Sequence, residues 1–226
     1  MKGATALTKQ VKIVELFASV PAYLQGLFEG CVYPWEVLPK IGSYMKELIT
    51  KGLEGFTEIT PGVWVGENVQ IAATATIIAP AIIGAGTEIR PGAFLRGNVI
   101  TGSNCVIGNS TEMKNAVLLD KVQIPHYNYV GDSVLGNFSH MGGGALCSNL
   151  KSDGKNVVIH GEQEYETGLR KIGAILGDHA DVGCGCVLNP GTVVGKNTSV
   201  YPLTSLRGVY PADCIVKGQR EIVKRV

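Results

Sequence analysis

From Val65 onward an apolar residue returns every six positions: Val65, Ile71, Ile77, Ile83, Ile89 and Leu95. Four places behind each stands a second, mostly small residue: Val69, Ala75, Ala81, Thr87, Ala93 and Val99. The rhythm returns at Leu176, Val182, Leu188, Val194, Val200 and Leu206, with Ala180, Cys186, Thr192, Thr198 and Thr204 behind. An α-helix repeats near 3.6 residues and a lone strand near 2, so a strict six fits neither. It suits a parallel β-helix, in which each hexad forms one short strand and a tight turn. Three hexads close one triangular coil. The expected fold class is therefore all-β, a prism whose faces can be indexed from the sequence.

The departures from the rhythm divide the chain. Residues 1–62 lack the hexad, and Leu38, Ile41, Met45 and Leu48 recur at helical spacing within Pro34 to Leu48. A helical cap over 1–62, closing the open end of the stack, and a β-helix domain over 63–226 are expected. Two hexads, Met113–Val117 and Val130–Val134, are one residue short. They flank Pro125-His126-Tyr127-Asn128-Tyr129, and distorted corners in a repeat commonly mark functional places. Near 149–171 the pattern fails and the chain turns polar, an excursion expected to serve function or assembly. The basic segment Lys217 to Val226 is expected to leave the prism.

Indexing the hexads places Arg90 and His126 on one face, two coils apart, a backbone separation of roughly 10 Å at about 4.8 Å per coil. Arg96 and Lys114 share a position one coil apart on a neighbouring face. Stacked like charges repel, so either an anion lies between them or both side chains splay into water. A neutral imidazole at His126 can remove a proton from an attacking group near pH 7, although a lone His is more often structural.

Composition narrows the classes. The net charge of +1 over 226 residues argues against a general nucleic-acid or membrane surface. No apolar run approaches the roughly 18–20 residues of a membrane span, and no secretory leader is evident, so a cytoplasmic protein is expected. The six cysteines lack zinc-ribbon spacing, and Cys105 and Cys186 fall on the small inward position, where packing is the expected role.

Several stretches carry a resemblance to a known family: Arg90-Pro-Gly-Ala, Gly108-Asn-Ser-Thr-Glu-Met-Lys114, Pro125-His-Tyr-Asn-Tyr-Val-Gly-Asp132, and Cys147-Ser-Asn149 through Lys155. Together they resemble the C-terminal acetyltransferase domain of the bifunctional glucosamine-1-phosphate acetyltransferase/N-acetylglucosamine-1-phosphate uridylyltransferase. Asn149-Leu-Lys-Ser-Asp-Gly-Lys155, followed by Thr167-Gly-Leu-Arg-Lys-Ile-Gly-Ala174, looks most like the archaeal-type sugar-1-phosphate members. The resemblance implies a left-handed β-helix, a homotrimer and an active site where subunits meet. It implies His126 as general base and Arg90, Lys114, Tyr129 and Lys155 as holders of the sugar phosphate. Asn149 matches a residue of the acetyl-transfer site, and Cys184 a position whose backbone faces acetyl-CoA. His140 stands where the bacterial family has an acceptor-contacting Asn, Leu150 where it has a Tyr, and Tyr201-Pro202 interrupts the stretch beside the cosubstrate.

Three readings follow. The first is acetyl transfer from acetyl-CoA to an amino-sugar-1-phosphate such as glucosamine-1-phosphate, with no metal required. Nucleotidyl transfer is not expected of residues 1–62, which contain no Gly-rich phosphate loop. The second is a non-catalytic phosphosugar-binding or sugar-nucleotide-binding subunit of a separate sugar nucleotidyltransferase. The third, a zinc hydratase on the same prism, would want two His five apart, a spacing absent among His126, His140, His160 and His179.

Overall fold

The computed structural model describes residues 9–218 and 221–225. Of the expected cap, residues 1–8 lie outside the described residues, as do Gln219, Arg220 and Val226 of the basic tail. The hexads build three sheets, each taking strands from successive coils in parallel register, with Phe56–Thr60 and Glu221–Lys224 added antiparallel at the edges of two of them. Sheet 1 runs from Phe56–Thr60 to Val209–Tyr210, sheet 2 from Gln70–Ile71 to Glu221–Lys224, and sheet 3 from Thr76–Ile78 to Ser205–Leu206. The result is a parallel β-helix.

The six-residue period has a direct physical origin. Ile83, Ile89 and Leu95 point into the prism from successive sheets and pack in one core with Leu118, Ile124, Leu135 and Leu188. The small inward residues fill the corners. Where they are threonines they answer the polar groups of the turn: Thr111 Oγ1 donates to Ile124 O at 3.0 Å, and Thr198 Oγ1 to Pro211 O at 2.6 Å. Burial pushes the thiols of Cys105 and Cys147 up to about 12, mainly by desolvating the thiolate, so both act as small apolar fillers.

Sheet 1 differs from the other two. In Ala81–Ile83, Val99–Thr101, Ala116–Leu118 and Ala174–Leu176 all three residues are buried, so these strands are covered on both faces. The outward residues Ile82, Ile100, Val117, Val134, Ile175 and Val193 pack against the N-terminal helices rather than against the prism core. This corrects the expected end cap. The helical segment lies along the flank, because that flank presents an apolar column that must be removed from water. Ile71, an anchor of the first coil, is exposed.

Within the flank segment the expected helix is two elements, a 3₁₀ stretch Pro34–Lys40 and an α-helix Ile41–Lys51. Pro39 explains the change, since it lacks an N–H and its ring clashes with α-helical geometry behind it. Gly52 ends the helix at φ 88°. The polar excursion also folds onto this flank. Its hairpin, Val158–His160 with Glu164–Glu166, carries Tyr165 onto the Tyr33–Trp35 stack, with ring centroids 5.4 and 6.0 Å apart. Val157, Ile159 and Ile172 are fully buried there. The hairpin is therefore held by apolar contacts within its own chain.

The tail also departs from expectation. Cys214–Gly218 continues sheet 2 in parallel, and Glu221–Lys224 turns back antiparallel upon it, because Val216 packs in the core with Ile222 against it.

Replacing Trp35, 3% exposed, by Ala should cost about 3–5 kcal/mol in chemical denaturation and speed amide exchange in 157–166. Unchanged exchange in that hairpin would show that it is held by something other than the aromatic cluster.

Candidate active site

The site is built where sheets 2 and 3 meet and along the face of sheet 3. Strand Gln123–His126 lies within sheet 2, Tyr127 turns the corner at φ 51°, and Tyr129–Gly131 follows as a strand of sheet 3. Asn128 holds this corner: its Oδ1 accepts from His126 N at 3.1 Å, and its Nδ2 donates to Gly142 O at 2.8 Å and Ala145 O at 3.2 Å. The His126 imidazole is exposed and, among the described residues, has no side-chain hydrogen-bond partner.

Below His126 the corner is floored by glycine. Gly144 N donates to His126 O at 3.0 Å, and Gly185 N to Gly143 O at 2.9 Å. The ladder therefore sets Gly143 under His126 and Cys184 under Gly143. A Cβ on Gly143 would meet His126 Cβ at 3.6 Å, and one on Gly142 would lie 2.7 Å from Cys184 N. Cys184 is exposed, two coils or about 10 Å below His126. In the next coil the exposed Leu203 leans back over the corner: a Cβ on Gly185 would lie 2.8 Å from its Cδ2.

On the face of sheet 3, Tyr129 folds along its own strand over Gly131. Its Oη accepts from Asn149 Nδ2 at 3.2 Å. A Cβ on Gly131 would lie 2.5 Å from Tyr129 Oη and 2.7 Å from Asn149 Nδ2, so only glycine permits this contact. Burial and the neighbouring Glu112 carboxylate raise the Tyr129 phenol above its ordinary range, which keeps the O–H in place as a donor. Register puts Lys114 directly beside Gly131, one coil away, exposed and without a carboxylate partner among the described residues. Lys114, Tyr129 and Asn149 thus converge on one patch.

Arg96 sits one coil beyond Lys114 in the same column, but Glu112, two residues before Lys114 on the adjoining strand, takes its guanidinium at 2.5 Å. The repulsion expected in that ladder is answered by this carboxylate and requires no anion. Arg90 does not join Lys114. It lies on sheet 2, where Glu88 holds its Nε at 3.1 Å, and it stands one position out of register with His126, which pairs with Asn109. His140 is also on sheet 2, paired in register with Gln123 and bound through Nδ1 to Asp181 Oδ1 at 2.8 Å. Lys155 is exposed on the loop after Asn149, where its backbone N–H donates to Asp153 Oδ1 at 3.0 Å, and among the described residues no hydrogen bond joins it to the patch.

Sequence reasoning passed over Asn115 and Asp132. Asp132, 9% exposed, accepts from Asn115 Nδ2 at 2.9 Å and from Asn149 Nδ2 at 2.6 Å. The signal was available, since the two short hexads make both coils 17 residues long and stack Asn115, Asp132 and Asn149 at that spacing. Beside them lies a cleft of about 250 Å³ between Leu38 and Pro39 of the flank and Arg170 and Lys171 of the excursion. Among the described residues no group of three or more His, Cys, Asp or Glu side chains is placed to hold a metal, and no helix is long and apolar enough to cross a membrane.

Comparison with known proteins bears on these residues. Residues 77–165 match the GMPPB C-terminal domain family. A bifunctional GlmU protein of Methanococcus maripaludis is 30% identical over 203 residues, covering 88% of this chain and 49% of that protein. A bifunctional sugar-1-phosphate nucleotidylyltransferase/acetyltransferase of Sulfurisphaera tokodaii is 33% identical over 151 residues, covering 61% and 38%. Among solved structures, the UDP-N-acetylglucosamine acyltransferase of Campylobacter jejuni superposes with a TM-score of 0.49 at 18% identity, over 70% of this chain and 69% of that one. The chain is a homologue of the bifunctional GlmU proteins, similar to their C-terminal region, and it spans about half the length of those relatives.

Proposed function

We propose that the chain is an acetyl-CoA-dependent N-acetyltransferase acting on an amino-sugar-1-phosphate such as glucosamine-1-phosphate. The observation that carries it is the exposed, unpartnered His126 above the Gly142–Gly144 floor, beside the strand that brings Tyr129 to Asn149 and Lys114. Lys114 and the Tyr129 O–H would hold the phosphate as charge-assisted hydrogen-bond donors. His126 would take a proton from the amine as its nitrogen attacks the thioester carbonyl carbon, and the C–S bond would then break to release coenzyme A. Gly142, Gly144 and Gly185 already donate their N–H groups to Val182 O, His126 O and Gly143 O, so the Gly143 N–H is the group of the glycine corner that would receive the developing oxyanion. The name borne by the Sulfurisphaera tokodaii relative, which includes an acetyltransferase, supports the acetyl-transfer class.

A homotrimer is part of this proposal. The flank of sheet 1 is already covered, which leaves the outward faces of sheets 2 and 3 for other copies. The loop 151–156, with Lys155 exposed, is the part of the excursion free to serve a neighbour. The second reading, a non-catalytic phosphosugar-binding or sugar-nucleotide-binding subunit for a separate nucleotidyltransferase, is favoured by one observation. Leu203 narrows the corner below Cys184 where the donor would run.

His126→Ala should leave melting temperature and both ligand affinities near those of the wild type while turnover falls by about 10²–10⁴-fold. A folded variant that keeps wild-type acetyl transfer removes His126 as the base, whereas activity falling only in step with folded protein makes it structural. Light scattering at micromolar concentration should give three times the chain mass of 23.9 kDa, and a monomer there would remove the shared-site arrangement.

A further inference from the structure

The patch beside Lys114 contains two amides whose orientation is not a free choice. A carboxylate accepts hydrogen bonds and donates none. Asp132 faces Asn115 through one oxygen, at 2.9 Å, and Asn149 through the other, at 2.6 Å. Each asparagine must therefore turn its NH₂ toward Asp132. For Asn115 the same orientation is required a second time, because its Nδ2 also reaches the carbonyl oxygen of Leu38 at 3.4 Å. For Asn149 the second amide hydrogen goes to Tyr129 Oη at 3.2 Å.

This order of donation has a consequence at the ligand side. Both hydrogens of Asn149 Nδ2 are committed, so its Oδ1 remains as an acceptor. The oxygen of Tyr129 is already accepting, so its own hydrogen is left to donate. The patch thus offers one acceptor, one donor and, one coil away, the Lys114 cation. That polarity fits a ligand with an amine at one end and an anion at the other. It is wrong for a ligand presenting an acceptor at the amine position.

We propose that Asp132 is a positioning residue that sets the polarity of the sugar site, holding Asn149 so that Oδ1 receives the acceptor's amino group while the Tyr129 O–H and Lys114 receive its phosphate. The assignment rests on the amino-sugar-phosphate reading above and adds to it a determinant of substrate choice. The helical flank is part of the device, since the Leu38 carbonyl orients Asn115, which occupies one oxygen of Asp132 and leaves the other for Asn149. Gly131 completes it by allowing Tyr129 Oη and Asn149 Nδ2 to meet above its Cα.

Asp132→Asn is the discriminating variant. Asp132 turns its corner at φ 47°, a conformation asparagine tolerates well, so the backbone is expected to be kept. An amide there can offer acceptor geometry to only one neighbour and leaves Asn149 free to turn its NH₂ toward the ligand. Calorimetry would compare glucosamine-1-phosphate with 2-deoxyglucose-1-phosphate, which has no donor at that carbon, alongside melting temperature. The wild type is expected to prefer the amino sugar by about ten- to a hundredfold, the range a charge-assisted hydrogen bond supplies. Asp132→Asn should reduce that preference to a few fold at most while 2-deoxyglucose-1-phosphate binding is retained. A folded variant that keeps the full preference would overturn the assignment and leave the acetyltransferase reading standing. A wild type that binds neither sugar phosphate would instead overturn that reading. Side-chain amide exchange by NMR then decides the positioning role alone: Asn149 NH₂ should be slowed in the wild type and released in Asp132→Asn, and equal rates would sink it.

Discussion

The hydrogen-bond register between successive coils is the constraint from which the molecule follows. Each strand is only two to five residues long, too short to be stable singly, and gains its partners from the coil above and the coil below. Once that register is set, every outward side chain has a determined neighbour about 4.8 Å away along the prism. Lys114 beside Gly131, Asn115 beside Asp132 and His126 over Gly143 are consequences of this ladder. A site built this way sits on rigid backbone, where the geometry of acid–base groups is held by the same bonds that hold the fold.

The second constraint is apolar. A prism has three flanks, and here one carries an outward column of Ile and Val that must be covered. The helices Ile41–Lys51 and Pro34–Lys40 and the hairpin of the excursion meet over it, with Trp35, Tyr33 and Tyr165 as the joint. The cover of that flank reaches the site through the bond from Asn115 Nδ2 to Leu38 O. The covering segment is thereby part of the chemistry it stands beside.

The inward columns were legible from the chain because a six-residue period survives in any window long enough to count it. The outward columns were harder, since their meaning depends on what covers them. Ile82, Ile100 and Val117 read as ordinary strand residues until the flank segment is seen packed on them, and so the helices were expected at the end of the stack. Arg90 was joined to Lys114 by resemblance although the hexad count set them on different faces, and its nearer partner, Glu88, lies two residues away in the chain. The ladder of Arg96 and Lys114 looked unrelieved because Glu112 sits on the partner strand and not beside Arg96 in the chain. His126 was marked by the distorted corners around it and Tyr129 and Asn149 were reached through resemblance, whereas Asp132 needed the fold, because its importance lies in two contacts made across coils.

The proposed chemistry needs a proton acceptor, a donor-lined phosphate patch and a corner open enough for a thioester, and Leu203 is the residue that strains the last of these. The most direct measurement incubates the purified chain with acetyl-CoA and glucosamine-1-phosphate and follows both products, free thiol by colour and the acetylated sugar phosphate by mass. Catalytic acetyl transfer predicts one thiol released for each N-acetylglucosamine-1-phosphate formed, through many turnovers. Thiol release without acetylated sugar, or no release with any hexosamine phosphate at saturating acetyl-CoA, would contradict it.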